Sequence, residues 1–207
     1  MMKSIPPIAP TAVLACLLVA GCTIQRNKDG DHNKDVRIAT PFGGLQVKTD
    51  KKVVPAEIGL PLYPGASPKN ADDSDSSAAD VNMNFGNFQL RVKAATYQTP
   101  DPQEKVEAFY RDGLKHFGDV IACRGEHPIG TPVTTSQGLT CANTGTGSHI
   151  VVEEGHSSPT LKLKAGSRQH QHVVTLYADG SGTTFRLISL DLPGDWTGTR
   201  PDESRRQ

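Results

Sequence analysis

Near the C-terminal end, His172 to Ala178 (HVVTLYA) and Thr183 to Leu192 (TTFRLISLDL) are two β-rich runs separated by Asp179-Gly180-Ser181-Gly182. Valine, threonine, isoleucine and aromatic residues suit a pleated, half-buried surface, and the linker has the composition of a tight turn. The two runs read as an antiparallel hairpin, which commits the chain to a sheet. Further strands are expected at Phe88 to Ala94, where Phe88, Leu90, Val92 and Ala94 alternate with Gln89, Arg91 and Lys93, and at Val120 to Cys123, Ile150 to Glu153 and Leu161 to Lys164. Val36 to Thr49 predicts another hairpin, with VRIAT and LQVKT flanking Pro41-Phe42-Gly43-Gly44.

One helix interrupts the strands. Thr99 to Gly118 (TPDPQEKVEAFYRDGLKHFG) offers Asp101 as an N-cap, Pro102 at the first helical position and Glu104 three residues beyond the cap. Val106, Phe109, Tyr110, Leu114 and Phe117 share one face, Lys105, Glu107, Arg111, Asp112 and Lys115 share the other, and Gly118 stops the helix. Ile58 to Ala66 (IGLPLYPGA) predicts an extended segment closed by a Pro-Gly turn, with Leu62 and Tyr63 packed inward. Lys69 to Asp80 and Arg124 to Thr140 read as long loops. The expected fold class is therefore α+β, an antiparallel sheet covered by one main helix, with long loops.

The N-terminus places this domain in a compartment. Lys3 precedes an apolar run of nine residues, Ala12 to Ala20. As a helix it would rise about 14 Å, short of the roughly 20 residues a bilayer span needs, so it reads as the core of a signal peptide. Val19-Ala20-Gly21-Cys22 has the order of the lipobox cut by signal peptidase II. Residues 1–21 are thus expected to be removed, and Cys22 to carry two or three acyl chains. One chain gives only reversible binding, so this number makes the attachment effectively permanent. Thr23 stands where an aspartate would favour inner-membrane retention, which points to the periplasmic face of the outer membrane. Residues 22–35 read as a flexible tether, because Thr23 to Asp35 contains a single aliphatic residue. Residues 36–192 read as one α+β domain, and 193–207 as a polar tail.

The mature chain has two further cysteines, Cys123 and Cys141. An even pair in an oxidising compartment is expected to form a disulfide, and their spacing is not that of a redox-active or zinc-binding pair. Twenty-two basic residues balance 22 acidic ones. With few aromatics and no basic stripe, this excludes a nucleic-acid surface. Asp72, Asp73, Asp75 and Asp80 lack the glycine and distal glutamate of a calcium loop, so no metal or other cofactor is expected. No nucleophile elbow, metalloprotease helix or phosphate loop occurs. Ser181 belongs to a turn. His170 and His172, two apart on a strand, could grip a metal together, but with no acidic neighbour close in sequence they read as exposed imidazoles.

TPFGGLQVKTD, LPLYPGA, the helix containing AFYRDGL and QHVVTLYADGSGTTFRLISL together resemble an uncharacterised family of bacterial exported lipoproteins. The resemblance implies a shared fold and brings no catalytic residue. The function expected is that of a membrane-anchored envelope lipoprotein, a non-enzymatic binding or structural accessory whose partner is an envelope protein or glycan. The alternative is a metal-dependent or hydrolytic envelope enzyme. It would require at least three of His127, His149, His156, His170 and His172 to converge with a carboxylate.

Overall fold

The computed structural model describes residues 23–29, 33–49, 55–69, 78–142, 160–180 and 182–193. Its strands are β1 Thr23–Asp29, β2 Asn33–Thr40, β3 Gly43–Thr49, β4 Ser67–Pro68, β5 Ala78–Phe85, β6 Phe88–Thr99, β7 Ile121–Arg124, β8 His127–Pro128, β9 Leu161–Gly166, β10 His170–Asp179 and β11 Gly182–Asp191. They form one 11-stranded sheet in the order β1-β2-β3-β5-β6-β11-β10-β9-β7-β8, with β4 added alongside β6. Between the strands lie a four-residue helix α1, Pro55–Ile58, and a longer helix α2, Gln103–Leu114, extended by one 3-10 turn to Phe117.

This corrects the expected fold class. The chain is mostly antiparallel sheet, and α2 covers only part of it, packing on β9, β10 and β11. The α+β reading failed because it undercounted strands. Thr23–Asp29, expected as tether, pairs residue for residue with β2 from Thr23↔Ala39 to Asp29↔Asn33. Ala78–Phe85, only the start of which fell in the expected loop, bridges β3 and β6.

Period-2 alternation explains where the core lies. In register, Tyr97, Phe185, Leu176 and Leu161 form one row across β6, β11, β10 and β9. Ala95, Leu187, Val174 and Leu163 form the next, and all eight residues are buried. Val106, Tyr110 and Leu114 of α2 join the same buried cluster, with Phe109 and Phe117 at its margin, as the helical spacing predicts. Aromatic packing continues through it: the ring centroids of Tyr97 and Phe185 lie 5.8 Å apart, those of Tyr110 and Phe185 5.4 Å.

Two local expectations change. Pro102, not Asp101, is the N-cap of α2, and no side chain caps the helix. The Asp101 carboxylate instead accepts from the Tyr63 hydroxyl at 2.7 Å and from Lys105 at 3.2 Å. These two donors lower its pKa from the usual carboxylate value, the tyrosine contributing most. In Ile58–Ala66 the Pro64-Gly65 turn forms, closed by Ala66 N–H to Tyr63 O at 3.1 Å with Gly65 at φ +75°. Ile58, Leu60 and Tyr63 are buried there, whereas Leu62 is exposed. Tyr110, deep in the core, accepts from the Tyr63 backbone N–H at 3.2 Å, and burial raises its pKa strongly.

The β2–β3 hairpin turns on Pro41-Phe42, with Thr40 opposite Gly43. Its glycines therefore lie at the start of β3 and not in the turn. A Cβ on Gly43 would run into Asn84 O and the Phe85 ring of the neighbouring strand, which is why glycine stands there. At the other hairpin, Asp179 is opposite Gly182, and Gly180 takes φ +56°.

Candidate functional site

Three places gather chemistry-bearing side chains. The first is the loop between β7 and residue 142. Cys123 and Cys141 are bonded, with Cα atoms 5.5 Å apart. Ile121, Cys123, Leu139 and Cys141 form a second buried cluster, so the loop has a small core of its own, more than its turn-rich composition predicts. Thr135 organises its tip: the Oγ1 accepts from Leu139 N–H at 2.8 Å, and the backbone pairs Thr135 N–H with Leu139 O at 3.0 Å. Asp119, just past α2, accepts from the Ser136 hydroxyl at 2.7 Å and the Ser136 N–H at 2.8 Å, which lowers its pKa. Arg168 donates to Gly138 O at 3.2 Å and Lys164 to Thr140 O at 3.4 Å. Burial, reinforced by the like charge of Lys162, pushes the Lys164 ammonium below the usual lysine range. Disulfide, cluster and polar clamps make this loop a fixed surface against the sheet edge.

The second place is the start of β10. His170 is exposed, and its Nδ1 lies 2.9 Å from the Asp191 carboxylate directly across the hairpin. His172 differs from the expected exposed imidazole. Its ring stacks on Phe117 with centroids 3.6 Å apart, its Nδ1 is buried, and burial lowers its pKa. The third place is an open groove of about 250 Å³ lined by Ser67, Gln98, Thr99, Pro100 and Thr184, where Thr184 Oγ1 accepts from Lys69 at 2.9 Å and Thr99 Oγ1 from the Asp101 N–H at 3.3 Å.

The histidines do not assemble into a metal or hydrolytic centre among the described residues. No group of three or more histidine, cysteine, aspartate or glutamate side chains occurs there. His127 is on β8 at the far sheet edge, while His170 and His172 are on β10. His149, His156 and Ser181 lie outside the described residues, as do residues 1–22 with Cys22, the aspartates 72, 73 and 75, and the strand expected at Ile150 to Glu153. Among the described residues no helix is long and apolar enough to cross a membrane.

Sequence reasoning missed Asp191 as a partner of His170. The signal was available: counting outward from the turn, with Asp179 opposite Gly182, sets His170 opposite Asp191. Comparison of the chain with protein-family models, curated proteins and solved structures finds no match.

Proposed function

We propose that the chain is an envelope lipoprotein, anchored to the periplasmic face of the outer membrane through lipid on Cys22, and that it serves as a non-enzymatic binding or structural accessory. The observation that carries this reading is Val19-Ala20-Gly21-Cys22 placed after a short apolar run. Small residues fit the signal peptidase, and the thiol is the group that accepts diacylglyceryl. The bonded pair Cys123 and Cys141 suits an oxidising compartment. The clamped loop between them offers a fixed surface on which an envelope protein or glycan could be recognised.

The test is metabolic labelling with a fatty-acid analogue in cells expressing the full chain or Cys22→Ala. The wild type should take up label and lose its signal, and the mutant should do neither. Label persisting in the mutant would sink the assignment.

A further inference from the structure

Among the described residues the large exposed apolar side chains are Ile24, Phe42, Leu62, Phe85, Ile129 and Val133. Three of them, Ile24, Phe42 and Phe85, lie toward one end of the sheet. The turn Pro41-Phe42 joins β2 to β3, and the turn Gly86-Asn87 joins β5 to β6. The last cross-strand row at that end runs Thr40, Gly43, Phe85 and Phe88. Two rows further in lie Ile24, Ile38, Leu45, Met83 and Leu90, on the same face as Phe85 by the two-residue period. Phe42 is 84% exposed, Ile24 62% and Phe85 40%.

Among the described residues the two turns at this end carry no charge. Thr40 to Gly44 (TPFGG) and Asn84 to Gln89 (NFGNFQ) contain no ionisable side chain. The nearest in-register charges, Arg37 and Arg91, lie one row beyond Ile24 and Leu45 and on the opposite face by the two-residue period, and Lys48, opposite Asp80 and Asp35, lies two rows further along. An uncharged tip with protruding phenylalanines can enter the boundary between head groups and acyl chains without desolvating an ion. Finally, β1 begins at Thr23, one residue after Cys22. A single residue spans at most about 3.6 Å, so a lipid on Cys22 would enter the bilayer beside this tip.

We infer that the Phe42–Phe85 tip, with Ile24, is a membrane-docking surface that seats the sheet on the bilayer entered by the Cys22 lipid. The inference rests on the lipid reading of Cys22 given above. It replaces a domain hanging on a loose tether with one held end-on, its strands rising from the membrane and the disulfide loop at the opposite edge of the sheet from β1. Docking is apolar, so added salt should leave it unchanged.

The experiment uses the full lipidated chain in phosphatidylcholine vesicles, with and without brominated acyl chains. A bimane label is attached under non-reducing conditions to Asn87→Cys at the tip or to Lys48→Cys away from it, which leaves both phenylalanines in place. Brominated lipid should quench the label at 87 at least twofold and leave the label at 48 nearly unchanged. Adding Phe42→Ser to the Asn87→Cys protein should weaken that quenching. Equal signals at 87 and 48 in protein that still floats with the vesicles would overturn docking and leave the lipid reading intact. Failure to float, with no fatty acid on Cys22, would remove the lipid reading and docking together. Quenching at 87 that vanishes at one copy per vesicle would give the tip to a second copy of the chain and overturn the bilayer as its occupant.

Discussion

The sheet joins two regions built on different terms. In β9, β10, β11 and the adjoining end of β6, whole rows such as Tyr97, Phe185, Leu176 and Leu161 are closed to solvent beneath α2 and the segment around Tyr63. In β2, β3 and β5, the equivalent apolar positions Val36, Ile38, Leu45, Val47, Val81 and Met83 are only partly buried, and neither helix makes its main contacts there. Backbone pairing is as complete in one region as in the other. What differs is burial, so the hydrogen-bonded ladder alone does not decide how much each strand adds to stability; the layer packed on it does.

The strongest way to break this contrast is to delete one apolar side chain from each region. Phe185→Ala, in the backed region, should cost about 4 kcal/mol, because it removes a fully buried ring that touches Tyr97 and Tyr110. Leu45→Ala, in the outer region, should cost about 1 kcal/mol, since much of its transfer free energy is never realised. Urea unfolding of the two variants measures the difference, and equal losses would show that the outer strands are covered as well as the inner ones.

Next in size is the disulfide, which staples the β7 edge of the backed region. Reduction should lower stability by about 3 kcal/mol on the chain-entropy argument and increase amide exchange in β7, β8 and the clamped loop, leaving the β2–β3 hairpin unaffected. Thiol counting under denaturing conditions accompanies the measurement. Two free thiols in the protein isolated without reductant would refute the bond in the native molecule.

The smallest expected effect is a pH dependence confined to the backed region. Burial depresses the His172 pKa in the folded state, so the neutral ring is favoured there. As pH falls below the unfolded value of about 6.5, the unfolded chain takes up a proton first, and stability is lost until the folded pKa is passed. Above that window the contribution is fully present. His172→Phe keeps a ring against Phe117 and should flatten stability between pH 7.5 and 5.5, while the wild type should decline. Parallel curves for the two proteins would exclude His172 as the source.

Legibility from sequence divides along the same line. The helix face of Val106, Tyr110 and Leu114 and the hairpin across Asp179 to Gly182 were readable, because a single local period matches a single buried surface. Thr23–Asp29 was not: TIQRNKD has no apolar period, and its strand state comes from pairing with β2. Asp80, Asn82 and Asn84 hid β5 in the same way. Asp101 shows a local signal being overridden, since its pattern is that of a helix cap yet Tyr63, 38 positions away, takes the carboxylate. The tip was hidden for a related reason. In sequence Phe42 is only a turn residue, and it is strand register that brings it to the same end as Phe85 and the start of β1.

The pairing of β6 with β11, from Thr99↔Thr183 to Arg91↔Asp191, also sets a timetable. A chain that emerges N-terminus first, from a ribosome or an export channel, releases β1, β2, β3, β5 and β6 together, and these can zip up with near neighbours. The inner edge of β6 must then wait unmatched, through the helix and the cysteine loop, for the last strand of the chain. Loop closure over such separations is slow compared with hairpin formation. A chain folding in that order passes through a half-sheet with an open border, completed when its final segment arrives.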